Sequence, residues 1–134
     1  MALHYLDNWD NAFREIKRVL NKNGIFIFSV KNPIVDISKG TKTKGKELRL
    51  LGLENYFKQK RAFAKWKLPN GKVARIVTYH KTYGDIIRTI VKNGFEIIDY
   101  EDTKPLEKGK TLFPKEYGFY SKVPNFCVWK LRLR

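Results

Sequence analysis

The chain has 134 residues, 43% of them apolar and 14% aromatic, which suffices for one domain with one modest core and leaves nothing for a second. A formal net charge of +15, from 28 lysines and arginines against 13 acids, favours a polyanion or an anionic cofactor or metabolite as partner. A single cysteine, Cys127, excludes an internal disulfide, two widely separated histidines, His4 and His80, argue against a clustered metal site, and no stretch approaches the roughly 20 apolar residues of a membrane span.

The early Asp7 and Asn8 interrupt any signal-peptide core, so the expected compartment is the cytoplasm. Trp9, Phe13, Ile16 and Leu20 recur at helical spacing and predict an amphipathic helix, with Val19 widening its buried stripe. Asp7, Asn8 or Asp10 caps its start, Asp10 and Arg14 form a helix-spaced ion pair, and Asn23-Gly24 supplies the left-handed residue that ends it. Residues 24–30, Gly-Ile-Phe-Ile-Phe-Ser-Val, show no alternation and read as an interior strand needing apolar cover on both faces. Lys31-Asn32-Pro33 ends it. Helix and strand together suggest an α/β nucleotide-type fold, yet the sequence has no Gly-x-Gly pair for the phosphate-gripping turn of such folds.

Residues 37–80 read as an inserted basic subregion, because lysines and arginines between Lys39 and Arg75 greatly outnumber Glu47 and Glu54. Within it, residues 47–57 read as a short helical lead-in, and residues 61–68 and 72–79 flank Pro69-Asn70-Gly71, the strongest hairpin signal in the chain. The stretch from Gly40 to Glu47 nearly spells a P-loop, but Glu47 stands where a hydroxyl must hold magnesium, which argues against nucleotide hydrolysis.

The helix, Asn-Gly, strand grammar recurs at residues 82–101. Thr82 and Asp85 make a capping box, Tyr83, Ile86, Ile87, Ile90 and Val91 form the stripe, and Asn93-Gly94 precedes a second strand. A long polar and aromatic loop with Pro105, Pro114 and Pro124 follows. Residues 126–133 alternate as a terminal strand that sets Phe126 and Val128 against Cys127, Trp129 and Leu131. No Ser-His-Asp triad is recognisable, and Cys127 has no adjacent base.

Several of these segments together resemble one family. Ala2-Leu3-His4-Tyr5-Leu6-Asp7-Asn8-Trp9, Arg18-Val19-Leu20, Asn23-Gly24 with its strand, Asn32-Pro33, Tyr79-His80-Lys81-Thr82, Asn93-Gly94-Phe95 and Pro124 to Lys130 resemble, in order, the second half of class I S-adenosylmethionine-dependent methyltransferases of the small-molecule type. The resemblance covers nearly the whole chain, although none of its segments is a catalytic signature. It implies a partial Rossmann-like sheet of which the chain holds the last three strands, the terminal one antiparallel and lying between the other two, with an inserted β-hairpin. It also implies that the strands bearing the glycine-rich turn and the ribose-holding acid lie outside the chain.

The same resemblance puts Ala2, Leu3 and His4 just after the fourth strand, beside S-adenosylmethionine, and His80 with Tyr79 near the methyl acceptor. For His4 the competing reading is a loop histidine without further role; Tyr79 and Trp66 are read either as flanking the acceptor or as packing against the sheet. Asn32 sits at the C-terminal end of its strand, where α/β sheets place ligands, or is simply a turn-forming Asn before proline.

Independently of the family, an apolar strand with one covered edge needs a partner for the other. The expected partner is an N-terminal methyltransferase half, encoded separately, or a second copy in a homodimer; a truncated gene product is the third possibility. The functional expectation is methyl transfer only when so completed, to a small molecule, lipid or RNA. The alternatives are a noncatalytic basic module that binds RNA or a protein, and a decayed remnant.

Overall fold

A computed structural model of the chain describes residues 2–36, 41–44, 47–50, 53–58 and 61–134. One 3-10 turn, Leu3–Tyr5, leads into helix α1 (Asp10–Val19), strand β1 (Ile25–Lys31) and a single turn of helix, α2 (Pro33–Asp36). Two antiparallel ribbons follow, β2 (Thr41–Lys44) with β3 (Glu47–Leu50) and β4 (Arg61–Lys67) with β5 (Val73–Tyr79). Next come α3 (Tyr83–Lys92), β6 (Phe95–Asp102), the short helices α4 (Gly109–Leu112) and α5 (Pro114–Tyr120), and β7 (Phe126–Leu133).

The main sheet has the order β1-β7-β6, with β7 antiparallel to both neighbours, as the sequence reading anticipated. Period-two alternation in β7 puts Cys127, Trp129, Leu131 and Leu133 on one buried face. They lie opposite Val30, Phe28 and Phe26 of β1 and Phe95 of β6. Helices α1 and α3 cover this face through Trp9, Phe13, Ile86 and Ile90. The fully buried Phe13 ring meets Phe26, Phe28 and Phe95 edge-on at 5.9, 6.0 and 5.6 Å between centroids.

The opposite face departs from expectation. Ile25 and Ile27 are 42% and 58% exposed, so β1 is covered on one face, not two. Its outer edge is also open: among the described residues no strand pairs there. Leu133 N–H donates to Gly24 C=O and Asn32 N–H to Asn125 C=O, which turns the backbone groups of even-numbered β1 residues toward β7. Those of Ile25, Ile27, Ser29 and Lys31 therefore point outward from the sheet.

Local chemistry explains most of the boundaries. Thr82 and Asp85 form the full capping box at α3. At α1 it is Asn8, of the three candidates, whose Oδ1 accepts from Asp10 N–H at 2.8 Å. Asp10 pairs with Lys92 at 2.8 Å across the helices and not with Arg14, which turns to Asn11. Asn23, with φ of 60°, takes the left-handed conformation; Gly24 serves close approach, since a Cβ there would stand 2.7 Å from Asn21 O. In the Pro69-Asn70-Gly71 loop, Leu68 C=O accepts from Gly71 N–H at 2.9 Å and Gly71 has φ of 78°, a type I turn closed by a glycine bulge.

Other expectations are corrected. Residues 47–50 form strand β3 and not a helical lead-in, because Glu-Leu-Arg-Leu alternates with period two; among the described residues nearby, helix is limited to the 3-10 turn Leu53–Asn55. The supposed loop after β6 contains α4 and α5, the latter started by Pro114. Val19, Ile87 and Val91 are 67%, 42% and 58% exposed, since each lies well round its helix from the residues that touch the sheet. The P-loop-like stretch has β2 and the first residue of β3, Glu47, as its described part, and residues 40, 45 and 46 lie outside the described set. Among the described residues no helix is long and apolar enough to cross a membrane.

Phe13, fully buried, ties α1 to both β1 and β6. Phe13→Ala is expected to lower the unfolding free energy by about 3–5 kcal/mol, measured by urea denaturation; a loss below about 1 kcal/mol would refute this placement of the core.

Candidate functional site

The C-terminal end of β1 meets the end of β5 and the first turn of the chain, and polar side chains gather there. Asn32 is fully buried and its polar groups are all engaged. Oδ1 accepts from the Tyr83 hydroxyl at 2.7 Å and from Ile34 N–H at 3.2 Å, while Nδ2 donates to Asp102 at 2.7 Å. The residue thus caps α2, whose first position is Pro33, and ties β1 to α3 and β6. Tyr100 donates to the same Asp102 oxygen at 2.6 Å, and burial together with this acceptor pushes its phenol pKa well up. Burial also raises that of Tyr83.

A second group surrounds Asp36. This carboxylate is buried on α2, with Lys31 Nζ 3.7 Å from Oδ1 and His80 Nδ1 3.3 Å from Oδ2. His80 Nε2 lies 2.9 Å from the Tyr56 carbonyl oxygen. Both neighbours of this ring are acceptors: a neutral imidazole donates to one of them, an imidazolium to both. Among the described residues His4 Nδ1, Trp9 Nε1 and Asp36 Oδ1 are buried without a hydrogen-bond partner, and the three side chains line one void of about 10 Å³ together with Lys31, Tyr79 and Lys81. Burial lowers the His4 pKa from its usual 6.5; Asp36 opposes the shift and Lys31 adds to it.

Four of the sequence-predicted residues, His4, Asn32, Tyr79 and His80, therefore stand at one end of β1. Ala2 and Leu3, next to His4 in the chain, line a different cavity. This is an apolar groove of about 480 Å³ beside β1, lined also by Ile16, Phe26, Ile27 and Ser29. Trp66 is five rungs from Tyr79 along the ribbon, about 17 Å away, and does not join the cluster. Cys127 is fully buried and burial pushes its thiol pKa up, an inert arrangement. Sequence reasoning missed Asp36, although a signal existed: it is the one acid between Glu15 and Glu47, placed just past the end of an interior strand.

Stability should report the buried His4. Unfolded, it takes a proton near its usual 6.5, whereas folded it does so only at lower pH, so between those values the unfolded state holds more protons. The contribution is complete above about 6.5 and is lost as pH falls toward the folded value. His4→Asn is expected to shrink the drop in unfolding free energy between about pH 7 and pH 5, measured by urea denaturation at each pH; an unchanged drop would contradict the burial.

Comparison with known proteins adds the following. A family model described as a methyltransferase domain matches residues 1–28. Among curated proteins nothing matches. Solved structures do: one described as an S-adenosylmethionine-dependent methyltransferase from Listeria monocytogenes is 24% identical with a TM-score of 0.75, over 100% of this chain and 59% of that one. Another, from Mesorhizobium loti, is 23% identical with a TM-score of 0.70, over 98% and 58%. A glycopeptide N-methyltransferase complexed with S-adenosylmethionine is 11% identical with a TM-score of 0.52, over 99% and 54%. The chain has the fold of S-adenosylmethionine-dependent methyltransferases over part of their length, spanning less than three fifths of each of these structures.

Proposed function

We propose that these residues form the acceptor side of an S-adenosylmethionine-dependent methyltransferase whose methyl-donor site is completed by polypeptide outside them. The observation that carries this reading is the sheet, with β7 antiparallel between β1 and β6 and, among the described residues, no strand on the outer edge of β1. The structural likeness to methyltransferases, at 59% coverage of the Listeria monocytogenes protein, supports it. The completing polypeptide is an N-terminal half or a second copy of the chain.

The residues present do not make a methyl-donor site alone. Among the described residues the groove beside Ala2 and Leu3 has Ser29 as its one polar side chain and no carboxylate for a ribose, and no Gly-x-Gly turn exists in the sequence. That groove follows the free edge of β1, so an added strand fills it and brings its own turn toward Ala2, Leu3 and His4. Tyr79 and His80 then face the acceptor. Asn32, its polar atoms already engaged, acts as a positioning residue that fixes the end of β1. Methyl transfer is an in-line displacement at a sulfonium carbon, for which alignment of donor and acceptor is the main contribution a protein makes.

Isothermal titration is expected to give no saturable S-adenosylmethionine binding by the chain alone. Binding and methyl transfer are expected once it is joined to, or mixed with, a polypeptide that carries the glycine-rich strand and its neighbour. Saturable binding by the chain alone, or none by the complete assembly, would contradict the proposal.

A further inference from the structure

Ribbon β4–β5 carries a charge pattern that folding stability does not explain. Cross-strand partners share a face, so Arg61 with Tyr79, Phe63 with Val77, Lys65 with Arg75 and Lys67 with Val73 form one side of the ribbon. Most of this side is exposed, Phe63 at 55% and Val73 at 60%. Lys65 and Arg75 stand directly opposite each other, an arrangement that costs stability. Nothing local offsets it: the sequence holds no Asp or Glu from Asn55 through Gly84, and among the described residues no carboxylate pairs with Lys65, Lys67 or Arg75. The same face offers aromatic surface in register with its cations, the Arg75 guanidinium lying 4.7 Å from the Phe63 centroid and that of Arg61 5.6 Å from Tyr79.

Uncompensated cations in a row beside exposed aromatic rings are what a flexible phosphate chain with stackable bases requires. An anionic membrane fits this surface less well. Phe63 and Trp66 are an odd number of residues apart and so project from opposite faces, and the tip is polar, with Asn70 Oδ1 accepting from Lys72 N–H at 3.0 Å. At its other end the face reaches Tyr79, which lines the void beside His4 and Asp36. We propose that this face of the ribbon binds a single-stranded nucleic acid, with phosphates running past Lys65, Lys67 and Arg75 and a base stacking at Phe63. The inference stands apart from the methyl-transfer reading, since it rests on the ribbon alone.

The test is fluorescence anisotropy of a short labelled single-stranded RNA with the intact protein across a salt series, for wild type, Lys65→Glu and Phe63→Ala. Wild-type affinity is expected to fall steeply with salt. Lys65→Glu is expected to weaken binding about tenfold or more and to reduce the slope of log affinity against log salt by about 0.7 for the lost phosphate contact. The same substitution replaces the opposed like charges by an ion pair, so thermal stability should hold or rise, which separates lost binding from lost folding. Phe63→Ala is expected to cost about fivefold or more with the slope unchanged. Salt-independent binding, a Lys65→Glu variant that binds as wild type does, or attachment to phosphatidylserine vesicles without RNA binding would overturn the proposal.

Discussion

Strand β7 is the tie on which the rest of the structure depends. Strands β1 and β6 do not pair with each other, and the last strand joins them by running antiparallel to both. Its alternation gives one face to the helices, and its first residues fix the ends of both neighbours. Asn125 C=O accepts from Asn32 N–H, and Phe126 C=O accepts from Thr103 N–H, each at 3.0 Å. The candidate site lies at this pinned end. On the other flank of β1 no such partner exists among the described residues, and the apolar Ile25 and Ile27 remain in solvent. An open edge and an uncovered apolar face on the same strand are the two surfaces that the proposed completing polypeptide would cover.

The polar groups near the site divide into two kinds. Asn32, Tyr83, Asp102 and Tyr100 satisfy one another and so hold β1, α3 and β6 in one register. His4, Trp9 and Asp36 each bury an atom with no hydrogen-bond partner among the described residues, a cost that folding alone gives no reason to bear. The first group explains why the end of β1 is rigid. The second marks where these residues stop being self-sufficient, which is also where the methyl-transfer reading sets the wall of the reaction site.

Local rules made much of the fold legible. The capping box at Thr82, the Asn-Gly helix stops and the Pro69-Asn70-Gly71 turn act through nearest neighbours, and all three are found. Placing Phe126–Leu133 between the two earlier strands needed the family resemblance, since alternation sets faces but not neighbours. What failed to read correctly depends on partners elsewhere. Ile25 and Ile27 are composed for cover on both faces that these residues do not provide, and Ile87 and Val91 extend an apolar stripe beyond the width that meets the sheet. Of the residues gathered at the end of β1, the family resemblance singled out His4, Tyr79 and His80, and the strand end singled out Asn32. Asp36 was not singled out: a lone acid past a strand end marks a position only, and what sets it apart is its burial against Lys31 and His80.

The central claim, that β1 awaits another strand, is most directly tested by residue-resolved hydrogen exchange. In the chain alone, the amides of Phe26, Phe28 and Val30, bonded to β7, should be protected, while those of Ile25, Ile27, Ser29 and Lys31 should exchange freely. In the completed assembly this second set should become as slow as the first. Protection of the outward amides in the chain alone, or no gain of protection on assembly, would contradict the account.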